Sequence, residues 1–256
     1  MKRTALITGA SSGIGLEFAR LCAEKRYNLV LVARNEGRLY AIKNELKSQY
    51  GVTAYVRAAD LSKADAALDV FDYTLERGLT IDILINSAGF GDTGSFAECD
   101  WQKPYEMIQV NITALTQLTR CFLKGMMERG YGKILNLSSV AAFCAGPNMS
   151  VYYASKAFVR SFSEAVAEEA RGSGVSVTAL CPGPTATGFQ SAASMKRDAV
   201  MFRKPVHAAD VAKAGFRAME KGKALCYYGA FVKLASLGAR LAPRSITRKF
   251  AQKMNC

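Results

Sequence analysis

The sequence has 256 residues, half of them apolar, which is enough for one large domain and too few for a nucleotide domain plus a separate substrate domain. The formal net charge is +13, and the seven cysteines form no C-x-x-C pair, which argues against a zinc site or a disulfide framework and favours a reducing, cytoplasmic compartment. No apolar run approaches the roughly 20 residues that a membrane span needs.

The first predicted element is a short apolar strand, Ala5–Ile7, and a glycine-rich segment, Thr8–Gly15, follows it directly. After that segment the apolar residues recur at helical spacing, so the glycines lie on a turn between a strand and a helix. The unpaired N–H groups at a helix N-terminus attract phosphate. Gly9 and Gly13 let the backbone approach a pyrophosphate, and Gly15 lets the helix lie close to the strand. The alternative is an ordinary tight turn.

The first two thirds of the chain alternate strands and helices. Near-continuous apolar strands are typical of a parallel sheet, and helices between them indicate βαβ units with right-handed crossovers. We therefore expect an α/β fold: a doubly wound, mostly parallel, Rossmann-like sheet with helices on both faces and a ligand outside the carboxyl ends of the strands. The further predicted strands are 28–33, 52–57, 81–85, 133–137 and 175–180, and the predicted helices are 36–50, 64–76, 104–127 and 151–171.

We expect residues 1–256 to form one domain, with less regular alternation from Cys181 onward. The segment 189–204 is predicted to cover the substrate site. A helix over 208–221 and a strand over 224–228 follow, and 229–256 is predicted to form a basic helical extension. The apolar residues that the covering segment would contribute to the pocket are Met195, Val200, Met201 and Phe202.

Arg34 directly follows the second strand, where a dinucleotide fold meets the adenosine ribose. An acidic residue at that strand end would bind the ribose 2′-hydroxyl, but this chain has Ala33 and then Arg34. A guanidinium can bind a 2′-phosphate with two hydrogen bonds. The sequence therefore favours NADP(H) over NAD(H), and the alternative is that Arg34 is a solvated surface residue.

Tyr152 and Lys156 lie four residues apart in a predicted helix, so both side chains are on one face. The ordinary pKa of a tyrosine is roughly 10, and an adjacent ammonium is expected to lower it, which would suit Tyr152 for general acid/base catalysis. Ser139 ends the fifth strand, where its hydroxyl could hold a substrate carbonyl oxygen. Tyr153 is a competing phenol, because spacing alone does not exclude it.

Taken together, these stretches resemble the short-chain dehydrogenase/reductase family over residues 4–190. Thr8–Gly15, which spells TGASSGIG, has that family's form of dinucleotide loop. Tyr152 and Lys156 match the family's Tyr-x-x-x-Lys motif, which favours Tyr152 over Tyr153. The resemblance implies an oxidoreductase that transfers a hydride between NADP(H) and a carbonyl or secondary alcohol.

The resemblance also implies roles for residues that spacing alone does not identify. It implies that Ser139 rather than Ser138 is catalytic, and that Asn111 supports a water that reaches the lysine. Asp60 and Leu61 match the family's adenine-contacting pair, with an ordinary helix cap as the alternative. The expected cofactor-binding residues are Gly9, Ser11, Ser12, Gly13, Ile14, Gly15, Arg34, Asp60, Leu61, Asn86, Ala88, Gly89, Tyr152, Lys156, Pro182, Gly183, Thr185 and Thr187.

The chain departs from the family pattern at several points. Ser87 replaces the second asparagine of the Asn-Asn-Ala-Gly stretch, and Ser12 stands where many members have a basic residue, so the NADP preference depends mainly on Arg34. The end of the chain lacks the glycine-rich strand segment that helps build family tetramers, and it looks more like the branch of fatty-acyl and steroid ketone reductases. We therefore expect a homodimer through the helices 104–127 and 151–171, with a tetramer as the alternative.

An apolar ketone, such as a 3-oxoacyl or steroid-type compound, is the expected substrate, and no metal site is expected. Two other classes stay open: a cofactor-binding protein without turnover, and a membrane-surface or nucleic-acid binder that uses the basic tail. No nucleic acid is expected, because no zinc pattern or aromatic-rich RNA motif accompanies the basic residues. His207, the only histidine, is predicted to cap a helix or lie at the surface.

The tail from Phe231 to Met254 mixes large apolar residues with six basic residues and no acidic one. Pro243 predicts a break into two short helices. Basic amphipathic helices can lie in a membrane interface, but an apolar stripe usually packs against the domain. The sequence favours packing, with membrane contact as the alternative. The apolar residues concerned are Phe231, Leu234, Leu237, Leu241, Ile246 and Phe250.

Overall fold

A seven-stranded parallel sheet forms the centre of the computed structural model, which describes residues 2–189, 193 and 205–255. Its strands are β1 Thr4–Thr8, β2 Asn28–Ala33, β3 Ala54–Ala58, β4 Ile83–Asn86, β5 Gly132–Leu137, β6 Val175–Pro182 and, after two short strands, β9 Leu225–Tyr228. The spatial order is β3-β2-β1-β4-β5-β6-β9. The expected doubly wound sheet is confirmed, and all six strand pairs in it are parallel.

Helices cover both faces of the sheet. They are α1 Gly13–Glu24, α2 Glu36–Tyr50, α3 Ala66–Glu76, α4 Gln102–Ile108, α5 Leu115–Glu128, α6 Ser150–Glu169, α7 Ala208–Glu220, α8 Ala230–Leu241 and α9 Arg244–Asn255. Ile7 of β1 packs in one apolar layer with Phe18 of α1 and Phe216 of α7. The neighbouring residue Leu6 packs in the opposite layer with Leu118 of α5. Burial on both faces explains why the strands are near-continuous apolar runs.

The strand order reverses at β1, which lies between β2 and β4. β2 and β3 lie on one side of β1, and β4, β5, β6 and β9 lie on the other side. The loops at the carboxyl ends of β1 and β4 therefore diverge and leave a crevice, which is where open α/β sheets bind ligands.

The predicted helix over 104–127 is wrong in its middle. A π-helical turn, Gln109–Ala114, joins α4 to α5, so the segment is three consecutive pieces. The apolar spacing does not reveal a wider turn of this length, because α4 and α5 keep their helical period on either side. π-helical turns are rare in proteins, but those that occur often lie at functional sites. This one contains Asn111.

Three short elements were not predicted. A 3₁₀ helix, Val140–Phe143, follows β5, and β7 Thr185–Ala186 pairs in parallel with β8 Val206–His207. This small sheet brings the two ends of the predicted covering segment 189–204 together. That segment lies outside the described residues except for Phe189 and Ala193, and the predicted lining residues Met195, Val200, Met201 and Phe202 lie outside them as well.

The tail forms two helices, α8 and α9, that are separated at Pro243 as predicted. Their contacts with the domain differ from the expectation. The side chains that pack inward are Val232 and Ser236 of α8 and Ala251 and Asn255 of α9. The predicted apolar residues Leu234, Leu237, Leu241, Ile246 and Phe250 are exposed instead, and the side chain of Phe231 lies outside what the structure describes. Among the described residues, no helix is both long and apolar enough to cross a membrane.

Candidate active site

The turn between β1 and α1 borders a cleft of about 430 Å³. Gly9 and Gly13 adopt positive φ values of 67° and 54°, which cost glycine little. A Cβ added to Gly9 would lie 2.9 Å from the backbone nitrogen of Ala88, and one added to Gly15 would lie 2.3 Å from the carbonyl oxygen of Gly9. The turn is therefore too closely packed for a side chain at these positions.

The N-terminus of α1 opens into this cleft. The first N–H groups of a helix have no acceptor within it, the N-cap residue Ser12 makes no capping side-chain hydrogen bond, and the first turn contains no acidic residue. Ser11, Ser12 and Ile14 line the cleft beside the glycines. This arrangement fits the pyrophosphate of a dinucleotide, because unpaired N–H groups at a helix N-terminus bind phosphate.

Thr8 is a structural residue of this site that the sequence reasoning missed. Its hydroxyl accepts hydrogen bonds from the backbone nitrogens of Ser87, at 3.1 Å, and Ala88, at 3.0 Å. These bonds tie the end of β4 to the glycine turn. The signal was present as the hydroxyl residue that opens the motif TGASSGIG, but nothing in the sequence indicates which distant backbone it holds.

Arg34 and Asp60 lie where β2 and β3 end, and both line the cleft. Burial alone would raise the pKa of Asp60, but hydrogen bonds from the backbone N and the hydroxyl of Ser62, at 3.1 and 2.9 Å, and the nearby Arg34 cation hold that pKa below its usual value. Asp60 is not a helix cap, because the N-cap of α3 is Asp65. The exposed Arg34 guanidinium stands at the predicted adenosine end of the cleft.

Asn86 does not line the cleft, contrary to the expectation that it contacts the cofactor. Its side chain is buried, and its amide Nδ2 donates to the hydroxyl of Thr119 at 3.1 Å and to Oδ1 of Asn136 at 2.9 Å. Asn136 in turn donates to the hydroxyl of Ser163 at 3.0 Å. Asn86 therefore joins β4, β5, α5 and α6 from inside the core, while Ala88 and Gly89 face the cleft.

Ser139, Tyr152 and Lys156 come together at the centre of the cleft. The hydroxyl of Ser139 hydrogen-bonds the phenol of Tyr152. The ammonium of Lys156 lies 5.8 Å from the centroid of the Tyr152 ring and donates to the carbonyl oxygen of Leu137 at 2.9 Å. The end of β5 and the first two turns of α6 thus place a hydroxyl, a phenol and an ammonium in one cluster.

The ionisation of this cluster differs from the expectation. Burial raises the pKa of Tyr152 to about 12, although the hydrogen bond with Ser139 acts to lower it. Burial lowers the pKa of Lys156 to about 8. The Tyr152 pKa therefore lies above its ordinary value and not below it, as expected from the neighbouring ammonium, because loss of solvent is the main cause of its shift. Tyr152 is a protonated phenol at neutral pH.

The alternatives to Ser139 and Tyr152 have other hydrogen-bond partners. Ser138 is buried, and its hydroxyl donates to the backbone carbonyl of Lys156 at 2.8 Å. The hydroxyl of Tyr153 donates to Oδ1 of Asn255 at 2.9 Å. Both side chains are thus engaged in holding the fold, which supports the choices made from the family motif.

Asn111 lies behind the cleft wall and is fully buried. Its amide nitrogen donates to the carbonyl of Phe90 and to the hydroxyl of Ser155, each at 3.0 Å, and its amide oxygen accepts from the nitrogen of Phe90 at 3.2 Å. A Cβ added to Gly89 would lie 2.9 Å from that amide oxygen and 3.3 Å from the nitrogen of Lys156. Asn111 therefore fixes the strand end beside the lysine.

The loop after β6 closes the other side of the glycine turn. Pro182, Gly183 and Thr185 line the cleft. The Thr187 hydroxyl accepts from the backbone nitrogen of Phe189 at 3.1 Å, and its methyl would contact a Cβ added to Gly13 at 3.1 Å. In all, every predicted cofactor-binding residue except Asn86 lines this single cleft, together with Ser139.

The substrate side of the cleft is apolar, and the tail packs behind the residues that line it, which the sequence did not predict. Met149 and Tyr153 pack with Ala251 of α9, and the ring of Phe189 lies 5.2 Å from that of Tyr152. Asn255 holds α9 there: beyond accepting from Tyr153, it donates to the carbonyl of Pro147 at 2.9 Å. A terminal asparagine has no sequence pattern that indicates such a contact.

His207 does not line the cleft that holds Ser139, Tyr152 and Lys156. His207 is exposed and is the N-cap residue of α7 without a capping side-chain bond, so only its predicted surface position is confirmed. In the ranges that the structure describes, no group of three or more His, Cys, Asp or Glu side chains could hold a metal ion.

Comparison with known proteins identifies a family model and similar proteins. The family model described as short chain dehydrogenase matches residues 3–198. The chain is 35% identical over 189 residues to the very-long-chain 3-oxoacyl-CoA reductase of Anas platyrhynchos, a match that covers 72% of this chain and 60% of that protein. The matched region is thus less than two thirds of that relative's length.

Solved structures match over more of the chain. A short-chain dehydrogenase from Sphingobium yanoikuyae in complex with NADPH has a TM-score of 0.83 at 32% identity, and the match covers 93% of each chain. A structure of 7β-hydroxysteroid dehydrogenase has a TM-score of 0.87 at 25% identity and covers 97% of this chain and 96% of the other. The likeness therefore includes the tail region as well as the sheet.

Proposed function

The chain belongs to the short-chain dehydrogenase/reductase family, and from this premise we propose that it transfers a hydride between NADP(H) and an apolar carbonyl or secondary alcohol. Membership makes it an oxidoreductase that acts on a carbonyl or alcohol with NAD(P)(H). The proposal goes beyond family membership in three respects: the NADP preference, the apolar substrate and the roles of single residues.

One observation carries the proposal. The glycine turn that fits a pyrophosphate and the cluster of Ser139, Tyr152 and Lys156 line the same cleft. A binding protein without turnover needs only the first of these. The second places a proton donor, the Tyr152 phenol, beside an ammonium that lies 5.8 Å from the centroid of its ring, an arrangement that suits acid/base chemistry.

The cofactor end of the cleft is fitted to a dinucleotide. The N-terminus of α1 would bind the pyrophosphate, and the close-packed Ala88 would leave space for the adenine ribose. Arg34 would bind the 2′-phosphate of NADP(H) with its guanidinium. When bound, NADP(H) supplies or accepts the hydride.

The chain's own residues manage the substrate oxygen and its proton. In reduction, the Ser139 hydroxyl holds the carbonyl oxygen, and the Tyr152 phenol, which burial keeps protonated, donates its proton to that oxygen. The Lys156 ammonium stabilises the phenolate that forms. Asn111 positions the lysine by holding the chain at Phe90, and it supports a water that returns a proton to the cluster. In oxidation the proton moves the opposite way.

The substrate side favours an apolar molecule. Met149, Phe189 and Tyr153 line it, and packing of such side chains against substrate is driven by loss of apolar surface. The names of two similar proteins support this class: one is a very-long-chain 3-oxoacyl-CoA reductase and the other a 7β-hydroxysteroid dehydrogenase. We propose a 3-oxoacyl or steroid-type ketone as the substrate.

A homodimer through α4–α5 and α6 remains part of the proposal, with a cytoplasmic location. Large apolar side chains on these helices are exposed, among them Tyr105 at 41% and Phe158 at 39%. Pairing of two copies along these helices would cover them. Sedimentation of the purified chain measures its assembly state directly.

Turnover with a panel of ketones tests the function. We expect the full chain to oxidise NADPH, followed by its absorbance, with 3-oxoacyl thioesters or steroid ketones, and to do so more slowly with NADH. Cofactor binding without turnover of any ketone or alcohol in the panel would instead support a binding protein that has lost catalysis.

A further inference from the structure

The two tail helices expose their large apolar side chains instead of burying them. On α8, Leu234, Leu237 and Leu241 are 69%, 55% and 78% exposed. On α9, Ile246 and Phe250 are 59% and 55% exposed. We refer to these five residues as the tail face. Their spacing, i, i+3 and i+7 on α8 and i, i+4 on α9, places each set on one side of its helix.

Packing on the domain does not account for the tail face. The sides that α8 and α9 bury against the domain are the opposite ones: Val232 and Ser236 on α8, and Ala251 and Asn255 on α9. A helix that turns its small and polar residues inward and its leucines outward is the reverse of an ordinary surface helix. The tail face is therefore available to something outside the domain.

The charged residues of the tail all have one sign. From Lys221 to the end of the chain there are eight basic residues and no acidic one. The exposed Lys249 and Lys253 lie three residues from Ile246 and Phe250, respectively, so cations flank the apolar side of α9. Apolar side chains beside Lys and Arg, without acids, are the pattern of helices that lie in an anionic membrane interface.

We propose that the outward sides of α8 and α9 form a peripheral docking surface for anionic lipid bilayers. A second copy of the chain fits less well, because a symmetric interface would place like charges against each other. Nucleic acid would match the cations but not five exposed apolar side chains. A bilayer matches both, with acyl chains under the tail face and acidic headgroups beside the cations.

The docking surface is continuous with the substrate side of the cleft. The inner side of α9 packs on Met149 and Tyr153 through Ala251, so one helix would touch the bilayer outside and the pocket wall inside. Delivery of an apolar substrate from the bilayer would follow, and that consequence rests on the proposed function. The docking itself does not depend on turnover and is measured without substrate.

Cosedimentation of the full chain with vesicles tests the docking. We expect binding to phosphatidylcholine vesicles that contain one third phosphatidylserine and little binding to phosphatidylcholine alone. Binding should fall steeply with salt, because the electrostatic screening length shrinks from about 10 Å at 0.1 M to about 3 Å at 1 M.

Matched variants separate the contributions of charge and apolar contact. Each lysine near an anionic surface contributes about fivefold to binding, so Lys249→Glu with Lys253→Glu should weaken it at least about 25-fold. The same charge change at the exposed Lys47 and Lys213, on α2 and α7, should have little effect.

A second pair of variants tests the apolar contact. Leu234→Ser with Leu237→Ser should weaken binding by about tenfold or more. Leu68→Ser with Leu75→Ser, which are 41% and 60% exposed on α3, should not. Circular dichroism confirms that each variant is folded, and NADPH binding should be unchanged in all of them.

Three results would overturn the docking proposal. The first is absence of salt-sensitive vesicle binding by the unmutated chain. The second is an equal loss of binding in a control variant, either the one with Leu68→Ser and Leu75→Ser or the one with charge reversal at Lys47 and Lys213. The third is an oligomer in sedimentation that dissociates with Leu234→Ser and Leu237→Ser, which would show that a second copy covers the tail face. Failure of the ketone assay with vesicle binding intact would overturn only the proposed function.

Discussion

The cofactor side and the substrate side of the cleft are built in different ways. On the cofactor side, the ends of adjacent parallel strands meet, and the Thr8 hydroxyl joins two of them with bonds of 3.0 and 3.1 Å. On the substrate side, a helix from the end of the chain docks through Ala251 and the two hydrogen bonds of Asn255. The cofactor side is thus part of the sheet, whereas the substrate side depends on a helix that docks against the domain.

This difference indicates which side of the cleft can change in sequence, and so in function, without disturbing the sheet. The glycine turn allows no added side chain, since a Cβ at Gly15 would lie 2.3 Å from a carbonyl oxygen. The docked helix contacts the domain over a small apolar cluster, so its sequence can change without disturbing the sheet. We therefore expect changes on the cofactor side to alter cofactor affinity and changes in the tail to alter substrate affinity.

Arg34→Ala should give the largest single effect on cofactor choice. Loss of a charge-assisted hydrogen bond costs roughly 1–3 kcal/mol, so the preference for NADPH over NADH should narrow by about 5- to 150-fold. Titration of each cofactor by fluorescence measures both affinities. The exposed Arg38, outside the cleft on α2, is the matched control. Equal affinity for the two cofactors in the unmutated protein would contradict this assignment.

Asn255→Ala should have the next largest effect, confined to the substrate side. It removes the acceptor of the buried Tyr153 hydroxyl and the donor to Pro147, so α9 should hold the pocket wall less firmly. We expect KM for a bulky apolar ketone to rise about tenfold, with NADPH affinity unchanged. Gln252→Ala, exposed on the same helix, is the control. A comparable loss of NADPH affinity would show that the two sides are not separable.

The pH dependence of reduction should show a smaller effect, about twofold at its midpoint. Because burial lowers the pKa of Lys156 to about 8, the ammonium loses its proton as pH rises through that value, and stabilisation of the phenolate weakens. Tyr152 stays protonated throughout, with a pKa of about 12. Initial rates at saturating cofactor and ketone should therefore fall on the alkaline side of about pH 8. A rate that stays flat to pH 10 would contradict the role of Lys156.

The sheet could be predicted from the sequence because the signals for its strands lie within short stretches of the chain. Each parallel strand is buried on both faces, so its apolar run and the helix after it can be identified without knowing the partners. The glycine turn, Arg34 and the Tyr152–Lys156 pair lie at strand ends or on one helix face, and the structure places them in one cleft as expected. The π-helical turn around Asn111 was not predicted, because it does not interrupt the helical spacing of the apolar residues.

The rest of the site could not be predicted because it depends on distant pairs. The bond between Tyr153 and Asn255 joins residues 102 apart, and that between Asn255 and Pro147 joins residues 108 apart. The raised pKa of Tyr152 likewise follows from burial by surrounding elements, whereas the sequence showed only the neighbouring lysine. Asn86 was misplaced because its position in a motif does not show which way its side chain points.

The paired variants Tyr152→Phe and Tyr153→Phe test the central claim most directly. The two phenols are neighbours in the chain, yet one faces Ser139 and the other the tail. Tyr152→Phe should reduce turnover by about 10²- to 10⁴-fold, the range for loss of a general acid, and leave NADPH binding nearly intact. Tyr153→Phe should keep most of its turnover. Loss of turnover in Tyr153→Phe with activity retained in Tyr152→Phe would contradict the account.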